Sequence, residues 1–231
     1  MDGVFPWLGT SPEMTKNDSS FVFPRVRYVK RLRMSIDFEE YPEAAAGPKP
    51  LPKGFVWIPW DEHLAEVHGN VKFLAFRDSY DSEIFPTFRS RSACIGLMRS
   101  IASHSGFVPE GTWLVARRMP ECSLPIPVND RNEYPLRSSK PELEQLDFIA
   151  TIQGIRTAPQ IAAIQNVAVR PEFRGRGFGR AILMKGLEGF YRAGIRKVTL
   201  EATGGNVPAV RLYETSGFHL YQTLYKEVYV S

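Results

Sequence analysis

Apolar positions along the chain recur at two spacings, one of two residues and one of three to four. Residues 24–38, PRVRYVKRLRMSIDF, set Val26, Tyr28, Leu32, Met34 and Ile36 against Arg25, Arg27, Arg31 and Arg33, an alternation that predicts a strand. FVWIPW at 55–60 is aromatic and β-branched, and predicts another. Asp61 is placed to cap a helix with Leu64, Val67, Val71, Leu74 and Ala75 on its apolar positions. A second helix is predicted near 90–104, with Cys94, Leu97, Met98 and Ile101 on one face, and TWLVARR at 112–118 reads as a strand. DFIATIQGIR (147–156) and QIAAIQNVAV (160–169) flank a short Thr157–Ala158–Pro159 turn and predict a hairpin. A helix with Ile182, Leu183, Leu187, Phe190 and Tyr191 follows and stops at Gly194. RKVTLEA (196–202) predicts a strand, and Asn206 caps a short helix through Ser216 that tolerates Pro208 in its first turn. FHLYQ and TLYKEVYV read as closing strands.

Between these elements the punctuation is uneven. Residues 1–20 are polar and irregular and read as a loose tail, and YPEAAAGPKPLPKG (41–54) reads as a linker. Five prolines (120, 125, 127, 135 and 141) rule against a long regular element in 119–146. The expected organisation is an extension over 1–54 with one strand and a Pro-rich linker, then a domain over 55–231 carrying a Pro-rich insertion at 119–146. Position alone suggests that the insertion and the N-terminal strand shape an acceptor site or a subunit contact, since loops this long are usually functional.

Composition narrows the chemistry. The 231 residues carry 29 Lys+Arg against 25 Asp+Glu, a net charge of +4 that favours anionic ligands mildly. Cys94 and Cys122 form no Cys-x-x-Cys pair, and His63, His68, His104 and His219 are scattered, so no metal site is expected. The two cysteines do not make a disulfide framework, which suits a reducing cytoplasm. No apolar run approaches a membrane span, and the N-terminus lacks a secretory pattern, so no membrane association is expected. The basic run Arg25, Arg27, Lys30, Arg31 and Arg33 is followed by Asp37, Glu39 and Glu40 and has only Tyr28 to stack on a base. It reads as a solvated strand face rather than a nucleic-acid surface.

The most informative stretch is NVAVRPEFRGRGFGRAIL, 166–183. A buried strand ends at Val169, and Arg174, Gly175, Arg176, Gly177, Phe178 and Gly179 lead into a helix. Missing Cβ atoms let main-chain N–H groups converge on an anion, and a helix N-terminus adds free donors and a positive dipole end. Arg174, Arg176 and Arg180 add full charges. These features fit a diphosphate cradle, with a flexible basic loop and a dinucleotide-binding turn as rivals. The second rival requires an acidic residue about twenty positions on, where this chain has Ile195–Arg196–Lys197.

Arg174–Gly175–Arg176–Gly177–Phe178–Gly179 resembles the Arg/Gln-x-x-Gly-x-Gly/Ala acyl-CoA signature of the GNAT superfamily of N-acetyltransferases. NVPAVRLYETSGFHLY (206–221) is similar to that family's second motif. In element order the resemblance covers about 55–230 and leaves out 1–54 and 119–146. It implies an α/β (α+β) fold of the GNAT type: a mixed, mostly antiparallel twisted sheet of six to seven strands, splayed in the middle and flanked by about four helices. It implies acetyl-CoA as co-substrate, its pantetheine arm along the backbone of Val167, Ala168 and Val169 and its pyrophosphate on 174–180. Asn206 would meet the pantetheine amides, cap its helix, or do both.

The implied reaction is direct acetyl transfer to a primary amine whose identity stays open. Tyr213 would be the general acid. Glu201, twelve residues before Tyr213 as in family members that acetylate protein N-termini, would be the base. Many relatives instead carry an acidic residue on the strand before the glycine turn. Here that strand reads Ala162–Ala163–Ile164–Gln165–Asn166, which leaves Glu201 or a water held by Gln165. A non-catalytic CoA-binding sensor or scaffold is the alternative, and a monomer or homodimer is expected.

Overall fold

The computed structural model describes residues 25–119, 128–135 and 143–230. The tail read at 1–20, Cys122 and most of the Pro-rich insertion lie outside the described residues. Seven strands form one sheet: β1 (Arg25–Asp37), β2 (Phe55–Pro59), β3 (Trp113–Arg118), β4 (Leu146–Ala158), β5 (Ile161–Val169), β6 (Lys197–Thr203) and β7 (His219–Val230). Among the described residues five α-helices accompany it: α1 (Ala65–Phe76), α2 (Tyr80–Ile84), α3 (Arg91–Ala102), α4 (Phe178–Arg192) and α5 (Val207–Glu214). The strand order is β2-β3-β4-β5-β6-β1-β7, with every pairing antiparallel except β5 with β6.

The strand expected near the N-terminus is built into the sheet rather than hung on it. Its second half, Arg31–Asp37, pairs with β6, while Arg25–Ser35 pairs with β7. Leu32, Met34 and Ile36 therefore enter the main core beside Ile182, Leu183, Leu187 and Phe190 of α4. Val26 and Tyr28, on the same face but beyond the end of β6, stay exposed. The two closing strands read from the sequence are one continuous strand, β7.

The hairpin of β4 and β5 forms as expected, with Gln160 in the left-handed region at its turn. Gly186 and Gly189 let α4 lie close against the sheet and the 109–111 turn. A Cβ on Gly189 would stand 1.7 Å from the Glu110 carbonyl oxygen. On the other face, α1 packs on β4, β5 and α3. The described part of the insertion, 128–135, lies along the outer edge of β2, where Tyr134 N–H donates to the Trp57 carbonyl at 2.8 Å. That edge is at the far end of the sheet from β6.

Candidate active site

The parallel ladder of β5 and β6 is short. It runs from Ile161↔Lys197 to Ile164↔Leu200 and stops. Beyond it, Gln165–Val169 of β5 keeps its partner β4 on one side and has no strand on the other. Alternate N–H and C=O groups of Val167, Ala168 and Val169 thus face an opening in the middle of the sheet, bounded across from them by the end of β6. A strand edge of this kind takes an extended, amide-bearing chain as a further strand would be taken.

The glycine turn stands where β5 ends. Gly175 and Gly177 have φ of +70° and +86°, and a Cβ on either would meet nothing within 4 Å. Their conformation requires glycine, and the space beside them is open. Among the described residues, no backbone N–H from Gly175 to Arg180 donates to another protein group. Six donors therefore converge at the positive end of a fifteen-residue helix. Phe178 contributes only its N–H here, because its ring is buried against Phe55, 4.6 Å between centroids.

The three arginines of the turn do different work. The Arg174 guanidinium donates to the carbonyls of Val169 (3.1 Å) and Ala75 (2.5 Å), tying the turn to β5 and to α1. Arg180 donates to the Thr215 carbonyl at 2.8 Å and joins α4 to the end of α5. Arg176 is exposed and lies 5.8 Å from the Phe173 ring centre, leaving its charge available at the rim.

Across the opening, Asn206 caps α5: its Oδ1 accepts from Ala209 N–H at 3.3 Å. Tyr213 stands seven residues on, near the C-terminal end of the same helix. It is buried and packs edge-on against Phe218 at 5.9 Å. Burial lifts its phenol well above the ordinary tyrosine range, with the charge of Asp81 adding to the rise and that of Arg31 opposing it. The group is held neutral, as a proton donor must be.

Glu201 lies on β6 just past the end of the parallel ladder. Its Oε1 accepts from Arg33 Nε at 2.8 Å, and its Oε2 is 3.7 Å from a terminal nitrogen of Arg31. The basic run of β1 is therefore only in part a solvated face: Arg27 and Lys30 are exposed, but the Arg31 side chain is only 12% exposed and Arg33 27%. Alternation told which face they share but not that β6 and its carboxylate lie beside it. Arg31 also donates to Thr203 Oγ1; Thr203 donates to Asp81 Oδ1 at 2.5 Å, and Asn206 Nδ2 donates to Asp81 Oδ2 at 3.0 Å. Asp81 and Thr203 were not singled out by the sequence reading, and Arg31 and Arg33 were read only as part of a solvated strand face. The helix carrying Asp81 is five residues long and shows no periodicity. Gln165, at half-burial, has its amide nitrogen 3.5 Å from the Ala163 carbonyl.

A second buried polar group lies apart from this opening. His68 and Lys72 of α1 are fully buried. His68 Nδ1 is 2.7 Å from Thr151 Oγ1, and Lys72 Nζ has Met98 Sδ at 3.6 Å. Burial pushes the Lys72 amine down to about 7. The thiol of Cys94 is raised, mainly by burial, and so is not activated.

Residues 136–218 match the family model of the acetyltransferase (GNAT) family. A mycothiol acetyltransferase from Nocardiopsis dassonvillei is 39% identical over 70 residues, 30% of this chain and 21% of that protein. A ribosomal protein bS18-alanine N-acetyltransferase from Escherichia coli is 34% identical over 58 residues, 25% of this chain and 39% of that protein. The chain thus matches about a fifth to two fifths of these relatives' lengths. Among solved structures, a GCN5-related N-acetyltransferase from Sphaerobacter thermophilus aligns with a TM-score of 0.54 at 21% identity, over 89% of this chain and 54% of that one. This likeness shows the fold, a mostly antiparallel open sheet with helices.

Proposed function

We propose, for a chain that carries a GNAT acetyltransferase domain over residues 136–218, that it transfers the acetyl group of acetyl-CoA to an α-amino group. The six free N–H groups of the 175–180 turn are suited to a diphosphate, and the open edge at Val167–Val169 to the amides of the pantetheine arm. The thioester supplies an acyl group that is already activated. What remains for the protein is to position it, stabilise negative charge on the carbonyl oxygen, and move protons.

The acceptor nitrogen forms its bond to the acyl carbon as the carbon–sulfur bond breaks and the electron pair passes to sulfur. Tyr213, buried and neutral, delivers the proton that sulfur takes. The proton lost by the nitrogen needs an acceptor, and one observation decides what amine this site suits: both oxygens of Glu201 are engaged by Arg33 and Arg31. Among the described residues β5 carries no carboxylate, and Glu201 is committed to its arginines, so neither is a free acid group of the kind that strips an ammonium ion. A lysine amine, with pKa about 10.4, is ~0.1% neutral near pH 7.4, whereas an α-amine of pKa about 7.7–8.0 is neutral in roughly a third of molecules. The site therefore suits an α-amine deprotonated by water, and the printed name of the E. coli relative, an alanine N-acetyltransferase, is consistent with that class.

The test is a coupled thiol-release assay at pH 7.5, comparing a peptide with a free N-terminus with its N-blocked counterpart bearing one lysine. We expect kcat/KM to favour the free N-terminus by about two orders of magnitude. Equal use of the lysine peptide would overturn the α-amine assignment. Tight acetyl-CoA binding with no turnover of any amine would favour the reading as a CoA-binding sensor or scaffold, which the engaged Glu201 also permits.

A further inference from the structure

We propose that Asp81, contributed by α2 from outside the matched family region, is a positioning residue for Tyr213, holding the helix face that carries the phenol and balancing the guanidinium of Arg31 beside it. The inference rests on the acetyl-transfer reading and deepens it.

The geometry is a directed chain of hydrogen bonds. Arg31 donates to Thr203 Oγ1, so the one hydroxyl proton of Thr203 is left for Asp81 Oδ1, which it reaches at 2.5 Å. The other oxygen, Oδ2, takes Asn206 Nδ2 at 3.0 Å. That contact fixes the orientation of the Asn206 amide: its nitrogen faces Asp81 and its oxygen caps the Ala209 N–H. Asp81 thereby joins three elements, α2, the end of β6 and the N-cap of α5, at the side of the sheet opening. Asn206 caps the helix that carries Tyr213, so fixing its amide fixes the start of the helix that presents the phenol.

Asp81 is itself buried, and a buried carboxylate persists as an anion only where donors hold it. Its partners are a threonine and an asparagine, not a cation in direct contact. Its electrostatic counterpart is Arg31, two hydrogen bonds away through Thr203. The charged groups that act on Tyr213 are Asp81 from α2 and Arg31 from β1, and Arg31 in turn faces Glu201 of β6 and Lys226 of β7, with Arg33 of β1 on the other oxygen of Glu201. Arg33 and Glu201 neutralise each other at 2.8 Å. Removing the Asp81 charge leaves that of Arg31 unopposed beside the phenol, so the titration of Tyr213 moves down although burial still holds it up.

The experiment is a double-mutant cycle of Asp81→Asn and Tyr213→Phe in the full chain, with thermal melts to establish that each variant folds. Asp81→Asn is expected to lower kcat about tenfold or more while KM for acetyl-CoA moves less than about threefold, and to bring in an alkaline loss of kcat at lower pH than in the unmodified protein. On the Tyr213→Phe background the same substitution should change kcat less than about threefold. Equal losses on both backgrounds would overturn the proposal.

A second readout needs no turnover. With [13C]tyrosine labelling and the Tyr213 signal identified by its absence from Tyr213→Phe, Asp81→Asn should shift the titration of that phenol downward. An unmoved titration would overturn the role of Asp81, whereas absence of turnover in the unmodified chain would count only against the acetyl-transfer reading. Asp81→Glu and Thr203→Val keep the fold question separate. The first retains the charge and should preserve the titration. The second removes the bridge to Arg31 and should lower kcat without altering acetyl-CoA binding.

Discussion

At the scale of single residues, three side chains illustrate how burial sets proton chemistry. Tyr213 is buried and neutral, so Tyr213→Phe should lower kcat about a hundredfold with little change in acetyl-CoA affinity, measured by steady-state kinetics alongside titration calorimetry. Unchanged turnover would remove it from the reaction. Lys72 is buried and its amine falls to about 7, while the unfolded chain holds its proton up to about 10.5. Folding thus releases a proton between those values, and native stability from this group rises with pH across that window. Lys72→Met should raise the melting temperature by about 3–8 °C at pH 6, with the gain shrinking toward pH 10. His68 acts in the same direction below about 6.5, since burial holds it well under the usual imidazole value and folding demands the neutral ring. Neither burial was visible in the sequence. A lysine and a histidine four residues apart on α1 read as polar, and only the packing of α1 on α3 and β4 shows that they face inward.

At the scale of elements, periodicity carried much of the fold. Cys94, Leu97, Met98 and Ile101 are the buried face of α3, as their spacing predicts, and Ser90 caps it. The strand before the glycine turn, the turn itself and the Asn206-capped helix fall where their motifs lie. Alternation does not, however, name a strand's neighbours. β1 was legible as a strand, yet its place between β6 and β7 was not, and with it went the meaning of Arg31 and Arg33. That placement makes a contrast within one face of one strand. Met34→Ala, inside the three-strand region, should cost about 2–5 kcal/mol in urea unfolding. Val26→Ala, exposed where only β7 pairs, should cost under about 0.5 kcal/mol. Similar costs at both positions would show that β1 is not held as described.

At the scale of the molecule, the site is made by a ladder that ends early. β5 and β6 pair over four residues each, then separate, and every group assigned a role lies around that separation. The anion turn stands at one side of it, Asn206 and Tyr213 at the other, and α1 and α2 are tied to both through Arg174 and Asp81. The two motifs were readable because glycine placement and helix capping are local. The polar chain from Asn206 through Asp81 and Thr203 to Arg31 was not, because bonded members lie up to 172 residues apart in sequence and meet only in the folded sheet. The central claim is that the main-chain donors of 175–180 take up the diphosphate of coenzyme A. Titration calorimetry of acetyl-CoA against the unmodified chain and against Gly177→Val tests it directly. One site per chain is predicted, with affinity falling at least about tenfold in the variant, whose side chain conflicts with φ +86° and fills the turn. No binding by the unmodified chain, or equal binding by a folded Gly177→Val, would contradict it.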